Sequence, residues 1–252
     1  NGLWRVGGAL ARRSCDGRLS NTGLVYDNRG ILQRRYDKIH LCDVNVPGGE
    51  THQESAHFAP GHEVIVINSP VGRLGLAVCY DLRFPELFRQ MLTQNVEVIA
   101  LPAAFTLATG QAHWEVLLRA RAIENQCFVL AAAQSGEHFA GRTTYGHSQI
   151  IDPWGRVLSQ HAHGWGLAVS SIDREQQFAL RTGFPVLIIV AYRFGQMKFE
   201  RVTQIKVAPP IERTQEGESI TNQMNVIDVA YRDRITATAR SPHVRAVSIT
   251  GG

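Results

Sequence analysis

Long hydrophobic runs are missing from this chain of 252 residues. The longest one, residues 185–192, has the length of a strand, whereas a membrane-spanning helix needs about 18 or more apolar residues. Long basic runs are missing as well, and the formal net charge is only +4, from 26 Lys and Arg against 22 Asp and Glu. The sequence therefore predicts neither a membrane nor a nucleic-acid partner.

Cysteine is also scarce. Cys15, Cys42, Cys79 and Cys127 are irregularly spaced, with no C-x-x-C pair and no zinc-like pattern. Free thiols in a chain of this size are typical of a reducing compartment, so we expect a cytoplasmic protein. A phosphate-binding glycine loop is missing too, and we expect neither a metal nor an organic cofactor.

Short apolar segments of strand length alternate with helical patterns along the first three quarters of the chain. Residues 98–101 and 128–133 read as buried strands, and residues 111–124 read as the helix between them. Hairpin signals, such as Asn-Arg-Gly at residues 28–30, occur among them. This mixture indicates an α/β domain with a mixed sheet.

One cysteine lies on a sharp connection between a strand and a helix. Residues 74–78 read as a buried strand and residues 85–92 as a helix, with Cys79 directly after the strand. Such a turn exposes a side chain at the end of a sheet and aims the backbone N–H groups of Tyr80 and Asp81 at whatever that side chain attacks. Cys79 is therefore a candidate nucleophile. The alternative is a small buried hydrophobic residue.

Taken singly, the other candidate residues are ambiguous. Lys38 lies on a half-apolar strand and Glu54 lies in a polar loop, where solvent exposure is the ordinary outcome for both. A Cys–His pair could use His113 or His147. A serine hydrolase is not supported, because the G-x-S-x-G pattern is missing, and His161 and His163 lack further metal ligands.

Taken together, these segments resemble the nitrilase, or carbon–nitrogen hydrolase, superfamily. The matching motifs occur in the family's order and cover about residues 3 to 187: RYDKIHL (35–41), QES (53–55), VCYDLRFP (78–85), LPAAF (101–105), HWE (113–115), RARAIEN (119–125), GHS (146–148) and DPWG (152–155). Residues 36–44 and 103–115 are most similar to the branch that contains the deaminated-glutathione amidases.

The resemblance implies a nitrilase-like four-layer αββα sandwich and an amidase that hydrolyses the C–N bond of a small amide through a cysteine thioester. It implies that Cys79 is the nucleophile, that Lys38 and the Tyr80 backbone N–H stabilise the oxyanion, and that Glu54 positions Lys38. The substrate-pocket residues that it suggests are Arg83, Ala104, Phe105, Thr106, His113 and Glu115. An ω-amidase or an N-carbamoyl hydrolase would share the same catalytic residues.

The family's general base is a glutamate in a Leu-Pro-Glu context upstream of the lysine motif, and residues 1–252 do not contain that context. We therefore expect an N-terminally incomplete hydrolase domain at residues 1–187 that lacks the first strands and helices, and a divergent tail at residues 188–252. This chain alone is expected not to turn over amides. The alternative from another class is a non-catalytic binding protein or fragment. The resemblance also implies a homodimer or larger oligomer, with a surface around residues 84–92.

Overall fold

The computed structural model describes residues 3–13, 17–45, 51–138 and 141–187, together with the backbone of Val226–Ala230 and Val244–Thr250. In chain order the strands are β1 (Leu3–Arg13), β2 (Leu19–Tyr26), β3 (Leu32–Asp37), β4 (Asp43–Asn45), β5 (Thr51–Gln53), β6 (Val66–Ser69), β7 (Gly72–Leu76), β8 (Val98–Ala103), β9 (Phe128–Ala133), β10 (Ser135–Glu137), β11 (Thr143–Tyr145), β12 (Ser148–Ile151), β13 (Val157–His161), β14 (Gly166–Ile172), β15 (Val226–Ala230) and β16 (Val244–Thr250). The helices are α1 (Pro85–Thr93), α2 (Leu107–Asn125) and α3 (Arg174–Gly183), and short 3₁₀ turns occupy Glu54–Ala56 and Cys79–Arg83.

The strands form two six-stranded sheets. The first sheet has the order β14-β16-β15-β1-β2-β3 and is antiparallel throughout. The second has the order β13-β12-β9-β8-β7-β6, and its central strands β7, β8 and β9 are parallel. Every residue of β8 and β9 is buried, as expected for central parallel strands that are covered on both faces.

Apolar side chains fill the space between the sheets and the space between the second sheet and its helices. Val6 and Val25 of the first sheet belong to one buried cluster with Leu74, Leu76 and Val98 of the second. A second cluster joins the other face of that sheet to α1 and α2, through residues that recur at helical spacing: Leu87, Phe88, Met91, Trp114, Leu118 and Ala122. The α/β sandwich that we expected is confirmed as a helix layer on two packed sheets.

Several boundaries differ from the sequence expectations. Helix α2 begins at Leu107 rather than at residue 111, and the polar loop expected around Glu54 is a 3₁₀ turn that follows the β4–β5 hairpin. Helix α3 was not expected, although Asp173 accepts a hydrogen bond from the Gln176 N–H (2.9 Å) and so caps its first turn. Within the tail that we expected to diverge, strand β15 pairs with β1 and β16.

Within the described ranges, no helix is long and apolar enough to cross a membrane. The division of the chain into residues 1–187 and 188–252 remains a prediction.

Candidate active site

The turn between β7 and α1 has the strained geometry that the sequence predicts. Cys79 adopts φ +49°, in the left-handed region that few residues other than glycine occupy. Reciprocal hydrogen bonds close the turn around it, from the Asp81 N–H to the Val78 carbonyl (3.0 Å) and from the Val78 N–H to Asp81 Oδ2 (2.8 Å). A non-glycine residue in this conformation costs about 1–3 kcal/mol, and such residues cluster at functional sites.

Lys38 and Glu54 form a buried ion pair. Lys38 Nζ donates to Glu54 Oε2 at 2.5 Å, and their side chains are only 3% and 13% exposed. Glu54 is itself held by the Asn21 amide (2.8 Å) and by the Cys42 backbone N–H (2.7 Å). The solvent-exposed alternative for both residues is therefore wrong, because β3 ends at Asp37 and the chain then carries Lys38 inward.

Electrostatics keep both members of this pair charged. Burial opposes the charge on Lys38, but the Coulombic attraction of Cys79 and Glu54 outweighs burial, so the pKa of Lys38 lies above its ordinary value of 10.5. Burial likewise opposes the charge on Glu54, and Lys38 outweighs it, so the pKa of Glu54 lies below its ordinary value of 4.5. The cation therefore persists beside Cys79 across the neutral range.

A cavity of about 1010 Å³ is lined by Lys38, Glu54 and Cys79 together. Tyr80 also lines it, and so do all the residues that we expected around a substrate except Glu115: Arg83, Ala104, Phe105, Thr106 and His113. Arg83 Nη1 lies 3.2 Å from His113 Nδ1. Among the described residues that line the cavity, Glu54 is the only carboxylate.

Glu115 does not line the cavity, so its assignment to the substrate pocket is wrong. Its side chain is 49% exposed and lies 3.6 Å from Arg119, one helical turn further along α2. Positions two apart on a helix differ by about 200° in direction, so His113 and Glu115 cannot face the same cavity. His147, the other histidine considered for a Cys–His pair, stacks on Tyr145 and is not among the lining residues.

Asp81 is the residue whose importance single-sequence reasoning missed. Its fully buried carboxylate accepts the Val78 N–H and the Tyr36 hydroxyl (2.7 Å) on Oδ2, and the His40 N–H (3.0 Å) on Oδ1. Tyr36 is neutral in this arrangement. Its own burial, and then the Asp81 charge, raise its pKa well above 10. The signal in the sequence was an aspartate two positions after the candidate nucleophile.

The other described cysteines differ from Cys79 in their surroundings. Cys42 also lines the cavity, but burial, followed by the charge of Cys79, raises its pKa to about 11. Cys127 is fully buried, and burial raises its pKa to about 12. Within the part of the chain that the structure describes, no cluster of three or more His, Cys, Asp or Glu residues could hold a metal ion.

A cysteine on a strained turn at the end of a parallel strand, with a buried lysine–glutamate pair in the same cavity, is an arrangement that suits nucleophilic catalysis by a thiol on an α/β sandwich. The comparisons with known proteins are consistent with this class of site. The sequence profile of the family described as carbon-nitrogen hydrolase matches residues 1–181, and the chain belongs to that family.

The relatives of this chain include proteins that are named as amidases. It is 45% identical over 190 residues to the deaminated glutathione amidase of Yersinia enterocolitica, an alignment that covers 74% of this chain and 66% of that protein. The crystal structure of the Caenorhabditis elegans NitFhit protein has a TM-score of 0.70 at 27% identity and covers 98% of this chain and 75% of that one. A variant of the amidase from Nesterenkonia sp. AN1, with acrylamide added to its active-site cysteine, has a TM-score of 0.54 at 26% identity and covers 63% of this chain and 59% of that one. This chain thus spans just under two thirds of the length of the Yersinia relative.

We predict that Cys79 is the first thiol of the folded protein to react with iodoacetamide. Cys79 lies on a turn at the cavity that also contains the Lys38 cation, whereas burial raises the pKa of Cys42 and of Cys127 and keeps both thiols neutral at pH 7. Brief labelling followed by peptide mass mapping measures the order of reaction. Cys79→Ser should remove the fast phase and leave the slow ones. Earlier labelling of Cys15, Cys42 or Cys127 would contradict the assignment.

We also predict that Glu54→Gln lowers the free energy of unfolding at pH 7 by about 3–5 kcal/mol, because it leaves the Lys38 charge buried without a countercharge. The folded pKa of Glu54 is depressed, so its contribution is complete above about pH 4.5 and is lost as the pH falls through the folded value. Urea unfolding of both proteins should therefore show a difference that shrinks below pH 4.5.

Glu115→Gln is the matched control for this measurement, since Glu115 forms a half-exposed pair with Arg119. It should cost less than about 1 kcal/mol at any pH. A Glu54→Gln effect as small as that of the control would show that the buried pair does not stabilise the fold.

Proposed function

We propose that the protein is an amidase that hydrolyses the C–N bond of a small amide through a thioester on Cys79. The observation that carries this proposal is the burial of the Lys38–Glu54 pair in the same cavity as Cys79. A charged lysine kept out of water serves two purposes there. It favours the thiolate, and it meets negative charge that develops on a substrate carbonyl oxygen.

In the proposed reaction, the Cys79 thiolate attacks the amide carbonyl carbon. The carbonyl oxygen becomes an oxyanion, which accepts hydrogen bonds from Lys38 and from the Tyr80 backbone N–H. Tyr80 lies in the first turn of the 3₁₀ segment, where a backbone N–H has no partner within the helix. A base that has taken the thiol proton then passes it to the leaving nitrogen as the C–N bond breaks, and ammonia or an amine departs. Water releases the carboxylate from the thioester and restores the thiol.

The proton transfers need a base. Among the described residues that line this cavity, Glu54 is the only carboxylate that could act as one. Glu54 already accepts hydrogen bonds from Lys38, Asn21 and the Cys42 backbone. We assign it the positioning of Lys38 rather than proton transfer. For residues 1–252 by themselves, we therefore propose that acylation of Cys79 is faster than its release.

We propose deaminated glutathione, or a small amide similar to it, as the substrate. The support is the name of the Yersinia relative and a cavity of about 1010 Å³, which is large enough for a molecule of that size. An ω-amide or an N-carbamoyl compound would react by the same steps. The mechanism uses only side chains and backbone groups, and a cytoplasmic location fits its free thiol.

We also propose that the protein forms a homodimer through one face of α2 and the turn beside it. Val116, Ile123, Trp154 and Phe184 are large apolar side chains that are 47–68% exposed. Trp154 and Phe184 are in ring contact at 6.0 Å. Helix α1, around which we expected the dimer surface, already has its apolar side chains in the core, so α2 is the better candidate.

We predict that incubation with a small ω-amide adds one acyl group to Cys79, detected by intact mass and peptide mapping. Lys38→Ala should slow this acylation by about 10²–10³-fold, because it removes an oxyanion partner. Arg89→Ala, an exposed cation on α1, is the control and should react like the parent protein.

If the folded protein gains no acyl group, the non-catalytic alternative is favoured. If residues 1–252 instead release product over many cycles, at the rate of a form extended upstream, a base lies within these residues.

Light scattering at micromolar concentration should give twice the mass of the single chain. Ile123→Glu places a charge on the proposed surface and should yield the single-chain mass. Ile31→Glu, which is 38% exposed in a turn of the first sheet, should remain dimeric. A single-chain mass for the parent protein would contradict the dimer.

A further inference from the structure

The carboxylate of Asp81 connects two segments that are distant in sequence. Oδ2 accepts hydrogen bonds from the Val78 N–H (2.8 Å) and the Tyr36 hydroxyl (2.7 Å). Oδ1 accepts the His40 N–H (3.0 Å) and lies 2.8 Å from His40 Nδ1. Asp81 is fully buried, so these four contacts are made without competition from water.

Closing the turn around Cys79 needs only one of these contacts. The reciprocal bonds between Val78 and Asp81 are sufficient to cap a 3₁₀ turn. The other three reach out of the turn to Tyr36 and His40, which flank Lys38 on either side by two residues. The carboxylate therefore fixes the turn that carries Cys79 against the segment that carries Lys38.

Other contacts of Lys38 fix it to β2, to Gly61 and to Glu54 rather than to the Cys79 turn. Its N–H donates to the Asn21 carbonyl (2.8 Å), its carbonyl accepts the Gly61 N–H (2.8 Å), and its ammonium donates to Glu54. None of these partners lies on the Cys79 turn. Of the hydrogen bonds described for the two segments, those of Asp81 are the ones that join them.

We propose that Asp81 is a positioning residue, which holds residues 36–40 against the Cys79 turn and so keeps the Lys38 ammonium beside the nucleophile. This inference rests on the roles proposed above for Cys79 and Lys38. Asp81 is not among the residues that line the cavity, so it acts through them and not on the substrate.

Charge and position predict opposite effects when Asp81 is replaced by asparagine. As a negative charge near Cys79, Asp81 disfavours the thiolate, so its neutralisation alone would make Cys79 react at lower pH. As a positioning residue it keeps a cation nearby, so its loss would make Cys79 react only at higher pH. The ionisable groups that line the cavity with Cys79 and remain in the variant are Lys38, Cys42, His52, Glu54, His57, Tyr80, Arg83, His113 and Arg142.

The test is the rate of iodoacetamide alkylation of Cys79 as a function of pH, for the parent chain and for Asp81→Asn. We expect the pH of half-maximal rate to rise by about one unit in Asp81→Asn, which is a tenfold slower reaction at a fixed pH below the midpoint. Because the readout is alkylation, it does not depend on amide hydrolysis. A protein that fails to acylate with amides but shows this shift would refute the amidase function and keep the positioning role.

A second variant and a control complete the design. Tyr36→Phe removes one of the four contacts and leaves the Asp81 charge, so it should shift the midpoint in the same direction by a smaller amount. It replaces Asp81→Asn in the test if that variant does not fold.

Asp27→Asn is the control. Asp27 is also a buried carboxylate that accepts backbone N–H groups, from Arg29 and Ile31 at 2.9 Å each, but it lies in a turn away from the cavity. It should lower stability without moving the midpoint.

A midpoint that stays unchanged or falls in Asp81→Asn, with an unchanged midpoint in Tyr36→Phe, would overturn the proposal. Asp81 would then only close the turn. An equal rise in the Asp27→Asn control would overturn it as well, since the shift would then reflect general loosening of the fold.

Discussion

Keeping the Lys38 ammonium out of water is possible only while a negative group remains within hydrogen-bonding distance. Glu54 provides that group at 2.5 Å, and Asn21 on β2 and the Cys42 backbone hold Glu54 in turn. This requirement fixes the path of the chain after β3, where the polypeptide leaves the sheet and folds the β4–β5 hairpin over the cavity. Residues of this hairpin and Glu54 then form one wall of the cavity, around a charge that is kept from solvent.

The sequence was most informative where local pattern and chemistry coincide. The strand, turn and helix around Cys79 could be predicted because buried β7, the tight turn and Pro85 at the start of α1 each leave a local signal. The pocket loop after β8 was suggested by the resemblance alone. In the structure it lines the same cavity as Cys79, because residues after the ends of parallel strands meet at one edge of the sheet. Buried α2 was recognisable from Trp114 and Leu118, although its first turn was not.

The remaining features depend on contacts between distant residues, which a single sequence does not display. A lone lysine near the end of a strand is expected to be exposed to solvent, and only the fold shows that its partner sixteen positions later covers it. Asp81 has the sequence context of an ordinary turn residue, and only the fold shows that Tyr36 and His40, more than forty positions earlier, donate to its carboxylate. Glu115 differs from the expectation for another reason. It stands two positions after His113 in the sequence, but α2 directs the two side chains to different sides.

The two sheets of the sandwich contribute different halves of the site. Lys38 follows a strand of the first sheet and Cys79 follows a strand of the second, so the cation and the thiol meet only after the sheets have packed. A chain emerging during synthesis, or one that has partly unfolded, therefore carries Cys79 as an ordinary thiol with the reactivity of any exposed cysteine. The environment that we propose for catalysis therefore exists only in the completed tertiary structure, after the two sheets have packed.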